Sequence, residues 1–256
     1  MGTALTAGLL VSKTLRPSQI FVTDVRPETR ATLRGKYGVR VGTDNIAAVS
    51  ESDTILLCVK PHQMGNLLAE VRTVVQHRPL VISIAAGIRT GFIEKNLGGA
   101  VPVIRVMPNT PALLRAGALV YCLGRKTNKA HETLARALLT PMGQVWKVSE
   151  TQMDAVTALS GSGPAYVFYL AECLTAAGCR IGLSEPMAEA LARQTIYGAG
   201  LMLKGNESAA TLRRRVTSPG GTTEVALKVL EKEKVPQIFA RALSAARRRA
   251  HVLSGN

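Results

Sequence analysis

Through roughly the first 150 residues, short apolar runs alternate with stretches whose apolar positions recur every three to four residues. The runs at 19–25, 54–59, 80–85, 101–107, 118–123 and 144–148 predict strands. Several are unbroken by polar residues, as in strands covered on both faces. Helical spacing at 3–13, 28–37, 67–76 and 128–140 falls between them. This alternation predicts an α/β region built on a doubly wound, largely parallel sheet.

After Ser149 the strand signal stops and the chain reads as all-α. The helical pattern at 153–177 is interrupted by Gly161, Gly163 and Pro164. Ser184 can cap a further helix with Pro186 in its first turn and Gly205 at its end. Two more helices are predicted at 223–232 and 236–253. The division is therefore expected at 149/150, with an α/β domain over 1–149 and a helical domain over 150–256. No linker, low-complexity stretch or internal repeat separates the halves.

Composition narrows the class. With 46% hydrophobic and only 4% aromatic residues, the chain reads as a globular protein packed with Ala, Leu and Val. No apolar run reaches the ~18 residues of a membrane span, and no secretory signal opens the chain. Cys58, Cys122, Cys173 and Cys179 lack metal or redox spacing and are expected to be buried free thiols in a reducing cytoplasm. No metal-ligand constellation is visible. The net charge of +15 gathers at Arg213, Arg214, Arg215 and at Arg247, Arg248, Arg249. Without a nucleic-acid module or interleaved aromatics, these read as solvated basic faces or as a field that draws anionic substrates. Neither nucleic acid nor membrane is expected as a partner.

The segment 216–224, Val-Thr-Ser-Pro-Gly-Gly-Thr-Thr-Glu, carries the strongest chemistry. Its glycines let a ligand approach the backbone, and Thr222 or Thr223 is the expected N-cap of the helix that follows. Backbone N–H groups at such a tip suit a small carboxylate or phosphate. Elsewhere Cys58-Val59-Lys60-Pro61 and Ile84-Ala85-Ala86-Gly87 close two predicted parallel strands, and ligands of open α/β sheets bind at such ends. Asn109 lies between two prolines in Arg105-Val106-Met107-Pro108-Asn109-Thr110-Pro111.

These stretches, with 159–166 (Leu-Ser-Gly-Ser-Gly-Pro-Ala-Tyr), resemble in order and spacing the pyrroline-5-carboxylate reductase family across essentially the whole chain. The resemblance implies a Rossmann-like domain followed by a helical dimerisation and substrate-binding domain. It implies reduction of 1-pyrroline-5-carboxylate to L-proline with NADPH or NADH. It also implies a homodimer, or a higher oligomer of dimers, with the active site formed between subunits. Under it, Ser218, Gly220, Gly221, Thr222 and Thr223 bind the substrate, and Thr223 hydrogen-bonds the ring nitrogen. Lys60 supplies a positive field, and Asn45 contacts the adenosine side of the cofactor. Cys58, Val59, Lys60, Pro61, Ala85, Ala86, Gly87 and Asn109 line the nicotinamide, with the Asn109 amide meeting its carboxamide or ribose.

The chain departs from the family at its start. Met1-Gly2 resembles the end of the glycine turn, with Gly2 as its third small residue and Asp24 as the ribose-binding acid. Asp24 favours a free ribose hydroxyl, whereas Arg26 suits a 2′-phosphate; the reading taken is NADPH. The first strand and two glycines are missing. About six buried apolar residues at ~1.5–3 kcal/mol each would rival a stability of ~5–15 kcal/mol. We therefore expect Met1 to be internal, with the natural start roughly ten residues upstream; an in-frame stop immediately before Met1 would refute this. The segment 207–215 also lacks the family's His-Pro and acid before the Ser-Pro-Gly-Gly stretch. Two other readings stay open. One is another β-hydroxyacid-dehydrogenase-like oxidoreductase, against which the lack of a Gly-x-x-Gly-x-Gly-x-x-x-Lys segment counts. The other is a non-catalytic fragment, for which the incomplete phosphate loop argues.

Overall fold

The computed structural model describes residues 1–255. The elements run α1 Gly2–Val11, β1 Phe21–Thr23, α2 Pro27–Tyr37, β2 Arg40–Gly42, α3 Asn45–Ser50, β3 Thr54–Leu57, α4 Met64–Val71 and β4 Leu80–Ser83. They continue with α5 Thr90–Asn96, β5 Val103–Met107, β6 Gly117–Leu123, α6 Lys129–Leu139, β7 Gly143–Lys147 and α7 Met153–Val156. The remainder is helical: α8 Gly163–Arg180, α9 Glu185–Leu203, α10 Ala209–Arg215, α11 Thr222–Lys232 and α12 Val235–Leu253.

Five strands form one sheet in the order β3-β4-β5-β6-β7, and β1 pairs in parallel with β2 as a separate ribbon. Side chains alternate across the larger sheet. Leu80, Ile82, Ile104, Leu119 and Tyr121 share one core with Leu5 and Leu9 of α1 and Leu138 and Leu139 of α6. Leu57, Val81 and Val103 face the other way, onto Met64 and Leu68 of α4 and Ile93 of α5. A period of two with helices on both faces explains the unbroken apolar runs.

The pairing is parallel except between β5 and β6. The connection over residues 108–116 is shorter than the dozen or so residues a parallel crossover needs. The first helix, expected at 3–13, and the third, expected at 67–76, are observed at Gly2–Val11 and Met64–Val71.

Compact units divide later than the strand signal does: residues 1–162 with 246–256 form one, and 163–245 the other. Buried Arg105 of β5 explains why the segment after Ser149 stays with the sheet. Its guanidinium lies 3.6 Å from Glu150, whose carboxylate also accepts the Thr90 backbone N–H and hydroxyl, both at 2.7 Å. One acid thus compensates a buried cation and caps the tip of α5.

The second unit is helical. Its α8 and α9 meet where Gly178 leaves only 3.0 Å between a would-be Cβ and that of Ala188. Among its described residues only Ala188 and Ala192 are buried, while Phe168, Tyr169, Tyr197, Val225 and Val229 all stand more than half exposed. Among the described residues no helix is long and apolar enough to cross a membrane. The cysteines are free, but only Cys122 is buried; Cys58 and Cys173 are exposed in the single chain, contrary to expectation. Cys58 is exposed because it leaves β3 at the open edge of the sheet, and Cys173 because α8 belongs to the unit that buries so little.

A polar cluster ties β6 to α6. The Tyr121 hydroxyl donates to Glu132 at 2.7 Å, and Lys147 and Lys129 approach the same carboxylate at 3.2 and 3.5 Å. The tyrosine hydrogen bond, then the lysines, hold the Glu132 carboxyl below its usual 4.5, while its partial burial opposes them. A carboxyl so depressed stabilises the fold above its unfolded pKa, and the contribution is lost as pH falls through the folded value. The stability advantage over Glu132→Gln is therefore expected to be full near neutrality, to begin to decline near the unfolded value of 4.5 and to be lost as pH falls through the lower folded value. Urea midpoints across pH measure it; a pH-independent difference would contradict the assignment.

Candidate functional site

Parallel register brings three strand ends to one edge. Leu57 pairs with Ser83 and Ser83 with Arg105, so the segments leaving β3, β4 and β5 emerge side by side. These are the expected stretches 58–61, 85–87 and 108–109. Ala85 is buried, whereas Ala86, Cys58, Lys60 and Pro61 are exposed and Val59 is half-buried.

The tip of α1 meets this edge. A Cβ on Gly2 would stand 3.2 Å from that of Cys58, so a small residue is needed for helix and strand to approach so closely. Met1 occupies the N-cap position and gives no side-chain cap, leaving the N–H groups of the first turn free of one. Such a tip attracts anions.

Asp24 follows β1 directly. Its carboxylate accepts the Arg26 backbone N–H at 2.8 Å and faces the Arg26 guanidinium at 3.4 Å. Arg30 donates to the Asp24 carbonyl at 2.6 Å. Two guanidiniums therefore crowd the end of β1, and Arg30 was not anticipated. The exposed α1 tip, its small first residue and this polar strand end fit a dinucleotide: phosphates at the helix tip and a ribose or its phosphate beside β1.

Three residues expected at the cofactor also make contacts within the protein. The Asn109 amide is engaged within the protein, donating to the Ser160 carbonyl at 3.1 Å and accepting from the Ala118 N–H at 2.9 Å. Asn45 likewise accepts from the Thr23 hydroxyl at 2.7 Å and donates to Glu70 at 3.1 Å. Each amide therefore already has protein partners for its oxygen and its nitrogen. Gly87 adopts φ +77°, and the side where its Cβ would stand lies 2.8 Å from the Leu253 carbonyl oxygen. The last turn of α12 covers that side of Gly87. His251, in the same turn, meets Asp154 at 3.2 Å.

The segment 216–224 forms a turn and a helix tip. Gly220 takes φ +74° and the Gly221 N–H closes the turn on the Ser218 carbonyl at 3.0 Å. A Cβ on Gly221 would lie 2.7 Å from the Ser218 Oγ and 3.0 Å from its carbonyl oxygen, so the turn is tight there. The N-cap is Gly221, not Thr222 or Thr223 as expected, because its extended φ −81°, ψ 167° lets the helix begin at Thr222. No side chain caps the tip.

The Gly220 N–H, expected to hold substrate, instead donates to the Glu224 carboxylate at 2.7 Å. Glu224 also pairs with Lys228 at 2.9 Å; that contact first, and the Gly220 N–H second, hold its carboxyl below the usual range. An acid in the first turn of a helix is a readable signal, but its grip on Gly220 depends on the turn. The tip groups left for a ligand are the N–H groups of Thr222, Thr223 and Glu224 and the hydroxyls of Ser218, Thr222 and Thr223.

Two family models match the chain. Residues 150–253 match pyrroline-5-carboxylate reductase dimerisation, and residues 1–87 match the model described as NADP oxidoreductase coenzyme F420-dependent. A pyrroline-5-carboxylate reductase of Pseudomonas aeruginosa is 41% identical over 239 residues, 93% of this chain and 88% of that protein. The structure of a pyrroline-5-carboxylate reductase from Coxiella burnetii superposes with TM-score 0.95 at 39% identity, covering 100% of this chain and 95% of the other. The Plasmodium falciparum pyrroline carboxylate reductase, solved with NADP bound, gives TM-score 0.85 at 29% identity over 100% of this chain and 95% of that one.

Proposed function

The chain belongs to the pyrroline-5-carboxylate reductase family, and on that premise we propose how its residues reduce 1-pyrroline-5-carboxylate to L-proline, the last step of proline biosynthesis, with NADPH favoured over NADH. The observation that carries the reading is the open tip of α11, whose N-cap is a glycine and which no side chain caps. Backbone N–H groups of Thr222, Thr223 and Glu224 grip the substrate carboxylate there. The Glu224 carboxylate keeps to Gly220 and Lys228, which limits its repulsion of the incoming acid.

The Thr223 hydroxyl then lies one residue into the helix and hydrogen-bonds the imine nitrogen. Lys60 adds positive potential at the end of β3. The nicotinamide supplies a hydride to the imine carbon when bound. Gly2 at the α1 tip takes the phosphates, and Arg26 with Arg30 favours a phosphorylated ribose. The rest of the rate comes from orientation. No strong acid is needed, because the imine is basic enough to enter protonated.

The working species is a homodimer in the cytoplasm. A helical unit that buries only Ala188 and Ala192 among its described residues, while exposing Phe168, Tyr169 and Tyr197, needs a partner surface. Its free cysteines suit a reducing compartment.

The test is oxidation of NADPH and of NADH by purified protein, measured separately with and without 1-pyrroline-5-carboxylate, with proline quantified. Substrate-dependent oxidation of both, faster with NADPH at equal concentration, is expected. No substrate-dependent oxidation of either would refute the activity. Faster turnover with NADH would overturn the role given to the two arginines.

A further inference from the structure

Residues 157–161 form a π-helical turn, closed where the Ser162 N–H reaches back to the Thr157 carbonyl at 2.9 Å. Such turns break the α-helical ladder and often accompany functional sites. The sequence shows why this ladder needs help. The α-helical partner of the Ser160 carbonyl would be the N–H of residue 164, and Pro164 has none.

A donor comes from the β5–β6 connection instead. Asn109 donates its side-chain N–H to the Ser160 carbonyl at 3.1 Å while its oxygen takes the Ala118 N–H at 2.9 Å. Gly161 packs against the same connection, where a would-be Cβ meets the terminal methyl of Met107. Residues 105–111 and 159–162, remote in sequence, are therefore two halves of one joint. Pro164 removes a hydrogen bond that Asn109 replaces. The joint lies at the carboxyl end of β5, beside the strand ends assigned to the nicotinamide.

We propose that Asn109 is a positioning residue of the reductase: it fixes the π-helical turn and the β5–β6 connection to each other, and acts on the reaction through that geometry without touching cofactor or substrate. The catalytic part of this inference rests on the activity proposed above; the structural part does not.

A double-mutant cycle tests it, using the full chain in its native oligomer. Asn109→Ala leaves both the Ser160 carbonyl and the Ala118 N–H without their partner. The melting temperature is expected to fall by about 5 °C and kcat by about tenfold, with KM for NADPH changing less. Asn109→Asp keeps the acceptor for Ala118 but turns a carboxylate toward the Ser160 carbonyl, and is expected to be as harmful. Pro164→Ala restores a backbone donor four residues from Ser160. In the Asn109→Ala background it should recover part of both losses, so that the double variant is better than the two single effects combined predict.

Additive losses would overturn the proposal. So would an Asn109→Ala protein that melts like the unchanged chain and shows only a raised KM for NADPH, since that is the behaviour of a ligand contact. If the unchanged protein does not reduce 1-pyrroline-5-carboxylate, the proposed activity fails, yet the melting-temperature cycle still decides whether Asn109 and Pro164 are coupled.

Discussion

Gly143→Ala is expected to melt about 10–15 °C below the unchanged protein, the largest loss of stability among the single substitutions considered. Gly143 opens β7 with φ +145° and ψ −154°, a backbone region essentially closed to residues with a Cβ. It pairs with Gly117 of β6. An added Cβ would overlap the Gly117 carbonyl oxygen and lie 2.5 Å from its nitrogen, atoms that cannot swing aside as a side chain can. Backbone strain of ~1–3 kcal/mol adds to overpacking of ~1–3 kcal/mol, together roughly 3–5 kcal/mol. For a chain of this size each kcal/mol shifts the midpoint by about 2–4 °C.

Gly65→Ala is the control. Gly65 sits in α4 with nothing within 4 Å of its would-be Cβ, so alanine should be neutral or slightly stabilising there. Thermal melts followed by circular dichroism compare the two. A Gly143→Ala midpoint within 2–3 °C of the unchanged protein, about 1 kcal/mol, would show that β6 and β7 can separate more readily than their register implies. β7 also leads directly into Glu150, which pairs with the buried Arg105, so a displaced β7 would strain that ion pair.

What the sequence could reveal follows from how each element is stabilised. Strands β4 to β6 are buried on both faces, and their apolar runs, like that of the half-buried edge strand β3, announce them without reference to partners. β2 has only Val41 as an apolar side chain, and α3 spans six residues; neither is long enough to set a period, and both went unpredicted. Strand direction is not encoded in apolar runs, but the short β5–β6 connection was a usable signal for the antiparallel turn.

The site shows the same division. The alignment of 58–61, 85–87 and 109 at one edge follows from parallel topology and was legible. The contacts that Asn45, Asn109 and Gly87 make within the protein were not. An amide in a stiff loop looks the same whether it meets a ligand or a backbone carbonyl fifty-one residues away. A glycine reads alike whether a ring or the Leu253 carbonyl covers it. Likewise, Thr222 and Thr223 are better N-caps than glycine by propensity. The left-handed Gly220 and extended Gly221 decided that contest, freeing both threonine hydroxyls from capping.

That freedom underlies the second large expectation: Thr223→Val should lower kcat for 1-pyrroline-5-carboxylate by about 10²-fold. Valine keeps the branched shape and the volume of threonine, and Thr223 lies in the first turn of α11, half-buried. Among the described residues its hydroxyl has no hydrogen-bond partner, so removing it leaves no protein group stranded, and the melting temperature should hardly move. The backbone N–H groups that grip the carboxylate survive the change, so KM should rise only modestly. On the role proposed for Thr223, the loss is a polar contact to the nitrogen whose bonding changes as hydride arrives, and interactions made at the reacting centre register in kcat. Thr222→Val is the matched comparison: it alters an exposed hydroxyl at the same tip and should cost less than about threefold. Equal losses from both would mean that the tip acts only as a carboxylate grip and that the hydroxyl role belongs elsewhere. A Thr223→Val enzyme with kcat within about twofold would remove the hydroxyl from the reaction altogether.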